Sequence, residues 1–160
     1  MAVDMFVKIG SLEGESADKS HGKEIDVLAW SWGMSQSGTT HAGSGAGAGK
    51  VNVQDLSLTK YVDKSTPELM LACANGKHFD KAVLTVRKAG ESPLEYLVIT
   101  MEDLIITSLS TGGSGGEDRL TENVTLNFAK VKVNYAEQDA KGGAKAKPQM
   151  GWNIAQNVKL

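Results

Sequence analysis

Lys50 follows a glycine-rich run, Gly43, Gly45, Gly47 and Gly49, and a lysine after such a run is one way a chain cradles phosphate. That chemistry needs Gly-x-x-x-x-Gly-Lys followed by Ser or Thr, whereas Ser44 stands at the first glycine and Val51 at the hydroxyl. Apolar alternation resumes at Val51, so the tract leads into a strand and offers no helix N-terminus to an anion. Gly43-x-Gly45-x-x-Ala48 is a loose dinucleotide match that fails for the same reason. His21, His41 and His78 lack ligand spacing and read as solvated loop residues. Glu13, Glu15 and Asp18, or Glu117 and Asp118, offer carboxylates for acid–base work, but in polar loops where unshifted pKa values are expected. Lys141, Lys145 and Lys147 read as a solvated basic loop, and the single Cys73 as a small buried hydrophobe. The residues point to no catalytic constellation, cofactor or metal.

The elements that would have to position such groups are mostly strands. One segment, Ser65 to Gly76, carries both ends of a helix: Ser65 and Thr66 as N-cap candidates, Pro67 in the first turn, Glu68 three residues after Ser65, and Gly76 as a left-handed stop. Leu69, Met70 and Cys73 form its expected apolar face. A helix of about ten residues is marginal alone and must lie on a sheet.

Val3, Met5, Val7 and Ile9 alternate as a first strand, and Ser11 to Glu24 reads as a solvated loop. From Ile25 to Gln36 the alternation predicts Leu28, Trp30, Trp32 and Met34 in a core, with Ala29, Ser31, Gly33 and Ser35 on the opposite face. Residues 37–50 form a flexible glycine-rich loop, and residues 136–149 a second low-complexity one. Phase slips predict β-bulges near Gln54-Asp55 and near Ala129-Lys130. Lys81 to Lys88 and Leu94 to Met101 predict a hairpin, and Leu104 to Leu109 a further strand apolar on both faces. About eight strands and one helix predict a mainly β protein, a compact barrel of two packed antiparallel sheets, as a single domain over residues 1–160.

Net charge −2 provides no basic field for nucleic acid. The chain opens on a strand pattern and shows neither a signal peptide nor an apolar run long enough to span a bilayer, so the expectation is a cytoplasmic product with no membrane insertion. Two glycine tracts and a strand face of small side chains have no role in a monomer; they suit surfaces that meet other subunits.

Met5-Phe6-Val7-Lys8-Ile9-Gly10, Glu24-Ile25-Asp26-Val27-Leu28-Ala29-Trp30-Ser31-Trp32-Gly33, the run Ser110-Thr111-Gly112-Gly113-Ser114-Gly115-Gly116-Glu117-Asp118-Arg119 through Val124, and Gly151-Trp152-Asn153-Ile154 resemble the haemolysin-coregulated protein (Hcp) family of type VI secretion systems, in order along the whole chain. The resemblance implies a phage tail-tube-like barrel that forms a homohexameric ring. Such rings stack into a tube inside a contractile sheath, carry a spike protein, hold effector proteins in the lumen, and are secreted without a signal peptide. The chain stops just after its last strand, so a fused toxin domain and its enzymatic role are not expected. Within that frame Ser37, Gly38, Thr39, Thr40, His41, Gly43, Gly45, Gly47 and Gly49 are the expected ring-stacking residues, and Ala29, Ser31, Gly33 and Ser35 the expected lumen contacts. The competing reading is a stand-alone carbohydrate- or lipid-binding barrel with Trp30, Trp32 and Trp152 as stacking platforms; an enzyme using the loop carboxylates ranks third.

Overall fold

A computed structural model describes residues 3–38, 49–90, 93–138, 140–141 and 145–160. Its strands are β1 (Val3–Ile9), β2 (Ile25–Ser31), β3 (Met34–Ser35), β4 (Asn52–Val53), β5 (Leu56–Tyr61), β6 (Phe79–Lys88), β7 (Glu95–Gly112), β8 (Thr121–Tyr135), β9 (Gln149–Asn153) and β10 (Val158–Lys159); α1 (Thr66–Asn75) sits between β5 and β6. Six strands pair antiparallel in the order β8-β5-β2-β1-β6-β7, and β7 pairs back onto β8, closing a barrel. Closure removes the unpaired edges that an open sheet of this size would present. β9 extends the wall from the far half of β8, with β10 beyond it.

Period-2 alternation fills the interior. Val7 and Ile9 from β1, Leu56 and Leu58 from β5, Leu84 from β6, Leu104 and Ile106 from β7, and Val124 and Leu126 from β8 are all buried in one cluster. Strand β7 runs unbroken through the stretch read from sequence as a hairpin arm and a separate strand. The phase slip near Ala129 is real, and its partner strand slips with it. Met101 and Leu104 flank Asp103, whose φ of +53° turns the chain, while Val131 and Phe128 flank Ala129 opposite. Both strands change face together, so the register survives; the register shift in this pair comes later, between Ile106 and Ser108.

Sequence and structure disagree at four further places. A bulge between Val27 and Ala29 flips the alternation of β2, so Ile25 and Val27 enter the core and Leu28 is left outside at 38% exposure. Met34, at 44%, lies on β3, which pairs only with β4 as a two-stranded extension of the β2–β5 hairpin. Trp30 and Trp32 do pack against the core. At Gln54-Asp55 the strand is interrupted rather than bulged: Gln54 N–H donates to the Gly33 carbonyl and Trp32 Nε1 donates to the Gln54 carbonyl, 2.9 and 2.8 Å. On α1 the buried face is Thr66, Leu69 and Ala72, with Cys73 half-buried and Met70 exposed. Gly76 closes the helix at φ +67°, but the Ser65 hydroxyl turns to Asp63 instead of capping.

The fourth disagreement is the segment between β1 and β2, which is not a solvated loop. Leu12, Ser16 and His21 are buried, and Gly14 N–H donates to the Lys23 carbonyl while Ser16 N–H donates to that of Glu24. A Cβ on Gly14 would stand 2.5 Å from the Glu24 carbonyl oxygen, so only glycine permits this approach. The segment is strapped over the outer face of the barrel, where His21 stacks on Phe6 and Asp18 accepts from Arg87.

Candidate functional site

Beyond the bulge, β2 presents Ala29 and Ser31 outward, both exposed; Ser35 on β3 is exposed and Gly33 between them is half-buried beside the Gln54 side chain. The pairing of neighbouring strands extends this surface. Ala29 stands opposite Thr59, Thr59 opposite Asn123, and Asn123 opposite Ser110. In the next row Ser31 meets Ser57, Ser57 meets Thr125, and Thr125 meets Ser108. Four adjacent strands thus carry two rows of small, uncharged side chains, seven of the eight able to hydrogen-bond. Thr59 Oγ1 donates to Asn123 Oδ1 at 2.7 Å, one of the cross-strand polar pairs that stabilise a sheet from its solvent side. Asp55, held by Thr107 Oγ1 and Asn127 Nδ2 at 3.1 and 2.8 Å, bounds the patch with its carboxylate already engaged.

Sequence reasoning found only the β2 edge of this wall. The same parity of small polar residues is written in Ser57-x-Thr59, Asn123-x-Thr125 and Ser108-x-Ser110, but that these strands adjoin depends on long-range pairing that no local pattern gives.

The expected stacking residues fall largely outside the described residues: Thr39, Thr40, His41, Gly43, Gly45 and Gly47. Ser37, Gly38 and Gly49 are exposed at the base of the β3–β4 hairpin, where Gly49 N–H donates to the Ser37 carbonyl at 3.3 Å.

The other candidates are dispersed. His78 is exposed and His41 lies outside the described residues, but His21 is buried, contrary to its reading as a solvated loop residue, because its ring stacks on Phe6 with centroids 4.6 Å apart. The loop carboxylates are not all unshifted: the Lys64 ammonium holds Glu13 below the usual carboxylate range, and a hydrogen bond from Arg87 does the same for Asp18. A lowered pKa keeps both ionised at neutral pH, which unsuits them as general acids. Glu117, Asp118, Lys141, Lys145 and Lys147 are exposed. Among the described residues no group of His, Cys, Asp and Glu could hold a metal ion, and no helix is long and apolar enough to cross a membrane. Trp30, Trp32 and Trp152 are partly buried against a core cluster whose members are mostly aliphatic.

A family model described as type VI secretion system effector, Hcp, matches residues 6–135. The chain is 66% identical over 160 residues to Protein hcp1 of Pseudomonas aeruginosa, with 99% of each chain covered. Its structure is similar to the crystal structure of Hcp1 from Salmonella typhimurium, with a TM-score of 0.83, 42% identity and both chains covered in full. A solved type six secretion system protein superposes with a TM-score of 0.93 at 28% identity, over 99% of this chain and 100% of that one. With a relative this similar from end to end, the chain belongs to the Hcp family and is a structural tube subunit of a type VI secretion system.

Proposed function

We propose that residues 1–160 act as one tube domain, that six copies close into a ring, and that the wall of small polar side chains centred on Ser31 and Ser57 lines its lumen. The observation that carries this reading is the two-row patch on β2, β5, β8 and β7. Small uncharged side chains bury too little apolar area, at roughly 25 cal/mol per Å², to hold subunits together. They suit a passage that touches varied effector proteins without gripping them, where repetition around the ring offsets the weakness of each contact. Residues 37–50, Ser37, Gly38 and Gly49 at their base, supply ring-to-ring stacking: glycine-rich chain loses much entropy on ordering, so stacking stays weak and reversible. A spike protein at the tip and a contractile sheath around the tube complete the assembly, which forms in the cytoplasm and is then secreted.

Light scattering on the full chain should give the mass of six copies, and negative-stain images should show rings with an open centre. A version shortened within residues 39–48 should keep that ring mass and lose stacked tubes. A monomer at micromolar concentration would sink the ring, and tubes from the shortened version would remove the loop from stacking.

The lumen assignment has its own check. Ser31→Gln adds bulk to an exposed position and should change stability by no more than about 0.5 kcal/mol. It should leave ring mass unaltered while lowering recovery of a co-expressed effector. If the ring falls apart instead, this wall is the subunit interface.

A further inference from the structure

The strap between β1 and β2, residues 11–24, is fastened by a histidine the tube reading does not use. His21 Nδ1 lies 2.7 Å from Glu24 Oε2, and its Nε2 lies 2.6 Å from Glu95 Oε1 at the start of β7. Both ring nitrogens therefore face carboxylate oxygens, and only the imidazolium can donate to both at once. The neutral ring must turn a lone pair toward one carboxylate. The ring and Glu24 are nearly closed to water, with side chains 10% and 14% exposed, so a mismatch there is poorly screened, while Glu95 reaches solvent.

The charged groups on the neighbouring elements are mostly acidic. Asp4 on β1, Asp26 on β2, Glu95 on β7, and Asp18 and Glu24 in the strap are all acidic; Arg87 on β6, paired with Asp18 and Asp4, is the facing cation besides His21. Lys23 reaches Glu13 at 3.9 Å, and Lys88 is bonded to Gln138. Arg87 lies over Phe6 at 5.0 Å from the ring centroid, so both cations of the cluster rest on one aromatic ring that is itself 4% exposed.

We propose that His21 is a pH-operated clasp that holds the 11–24 strap shut over Phe6 and lets it open on the alkaline side. Burial pulls the imidazole pKa down, but the hydrogen bonds and charges of Glu95 and Glu24 together leave it raised above its ordinary value. The sign follows: a raised folded-state pKa gives stability that is complete below the unfolded value of about 6.5 and is lost as pH climbs through the folded value. Opening bares Phe6 beside Arg87 on the outer wall of β1 and β6.

The test is hydrogen exchange on the assembled full-length protein at about pH 6 and about pH 9.5, with rates corrected for intrinsic base catalysis, either side of the histidine range. Protection of the peptide spanning residues 14–24 should fall about tenfold or more at the higher pH, while β5 and β8 stay unchanged. In Glu95→Gln, at a side chain 45% exposed, the carboxamide can accept from the imidazolium or donate to the neutral ring, so protection should persist at both pH values. His21→Gln should be poorly protected at both. A strap equally protected in wild type at both pH values would overturn the clasp. A fall in Glu95→Gln as large as in wild type would do the same.

Discussion

Lys60→Met should destabilise the fold by about 3–5 kcal/mol, more than Glu122→Leu does, and combining them should recover much of the loss. Lys60 and Glu122 are directly opposite on β5 and β8, point into the barrel, and are 0% and 1% exposed. Lys60 Nζ lies 2.5 Å from Glu122 Oε2 and 3.1 Å from Asp63 Oδ1. Thr66 Oγ1 donates to the same Glu122 oxygen at 2.7 Å and accepts from Lys60 Nζ at 3.4 Å, which ties the first turn of α1 into the cluster. Removing the lysine leaves two buried carboxylates without their cation. Removing the glutamate leaves Lys60 still paired to Asp63, hence the smaller cost. In the double variant Asp63 keeps its bonds from the Ser65 N–H and hydroxyl, Thr66 Oγ1 still accepts from the Asp63 N–H, and the facing pair at 60 and 122 becomes apolar. Urea titrations at one fixed protein concentration, since assembly adds to apparent stability, should give a coupling energy above about 1 kcal/mol. Additive losses would mean that the two side chains act independently.

This cluster was invisible in the sequence for a physical reason. Lys60 follows Leu56 and Leu58 at strand spacing, so period 2 places it inside, but a lone lysine is almost never buried without a partner. Its partner is on a strand far along the chain, and only the β5–β8 register brings them together. His21 was misread in the same way: Glu95, which makes it a clasp, arrives from β7. Local chemistry was legible where the determinants are local. Pro67 and Gly76 marked the helix ends because backbone geometry at those positions depends on the residue itself. Alternation placed β1 correctly. It misplaced β2 because Ile25, Val27, Leu28 and Trp30 are all large and apolar, so either parity could have faced the core until the bulge after Val27 chose.

The helix face is the remaining place where a single substitution separates core from surface. Leu69 is 0% exposed in the main core cluster, on a helix that lies against β7, whereas Leu71 two residues on is 64% exposed. Leu69→Asp puts a carboxylate into the apolar core cluster and should cost several kcal/mol, comparable to the whole stability of a marginal domain. Leu69→Ala removes only packing and should cost about 2–5 kcal/mol, with the upper end reached if the barrel end cannot collapse onto the cavity. Leu71→Asp should lie within about 0.5 kcal/mol of wild type, because an exposed apolar residue gives up little on becoming polar. The order Leu69→Asp, Leu69→Ala, Leu71→Asp, read from denaturation midpoints of the three purified variants, separates a charge effect from a volume effect at one position and an inner face from an outer one. If Leu71→Asp lost as much as Leu69→Asp, the outer face of α1 would be covered in the assembled ring, and the helix would belong to a subunit contact.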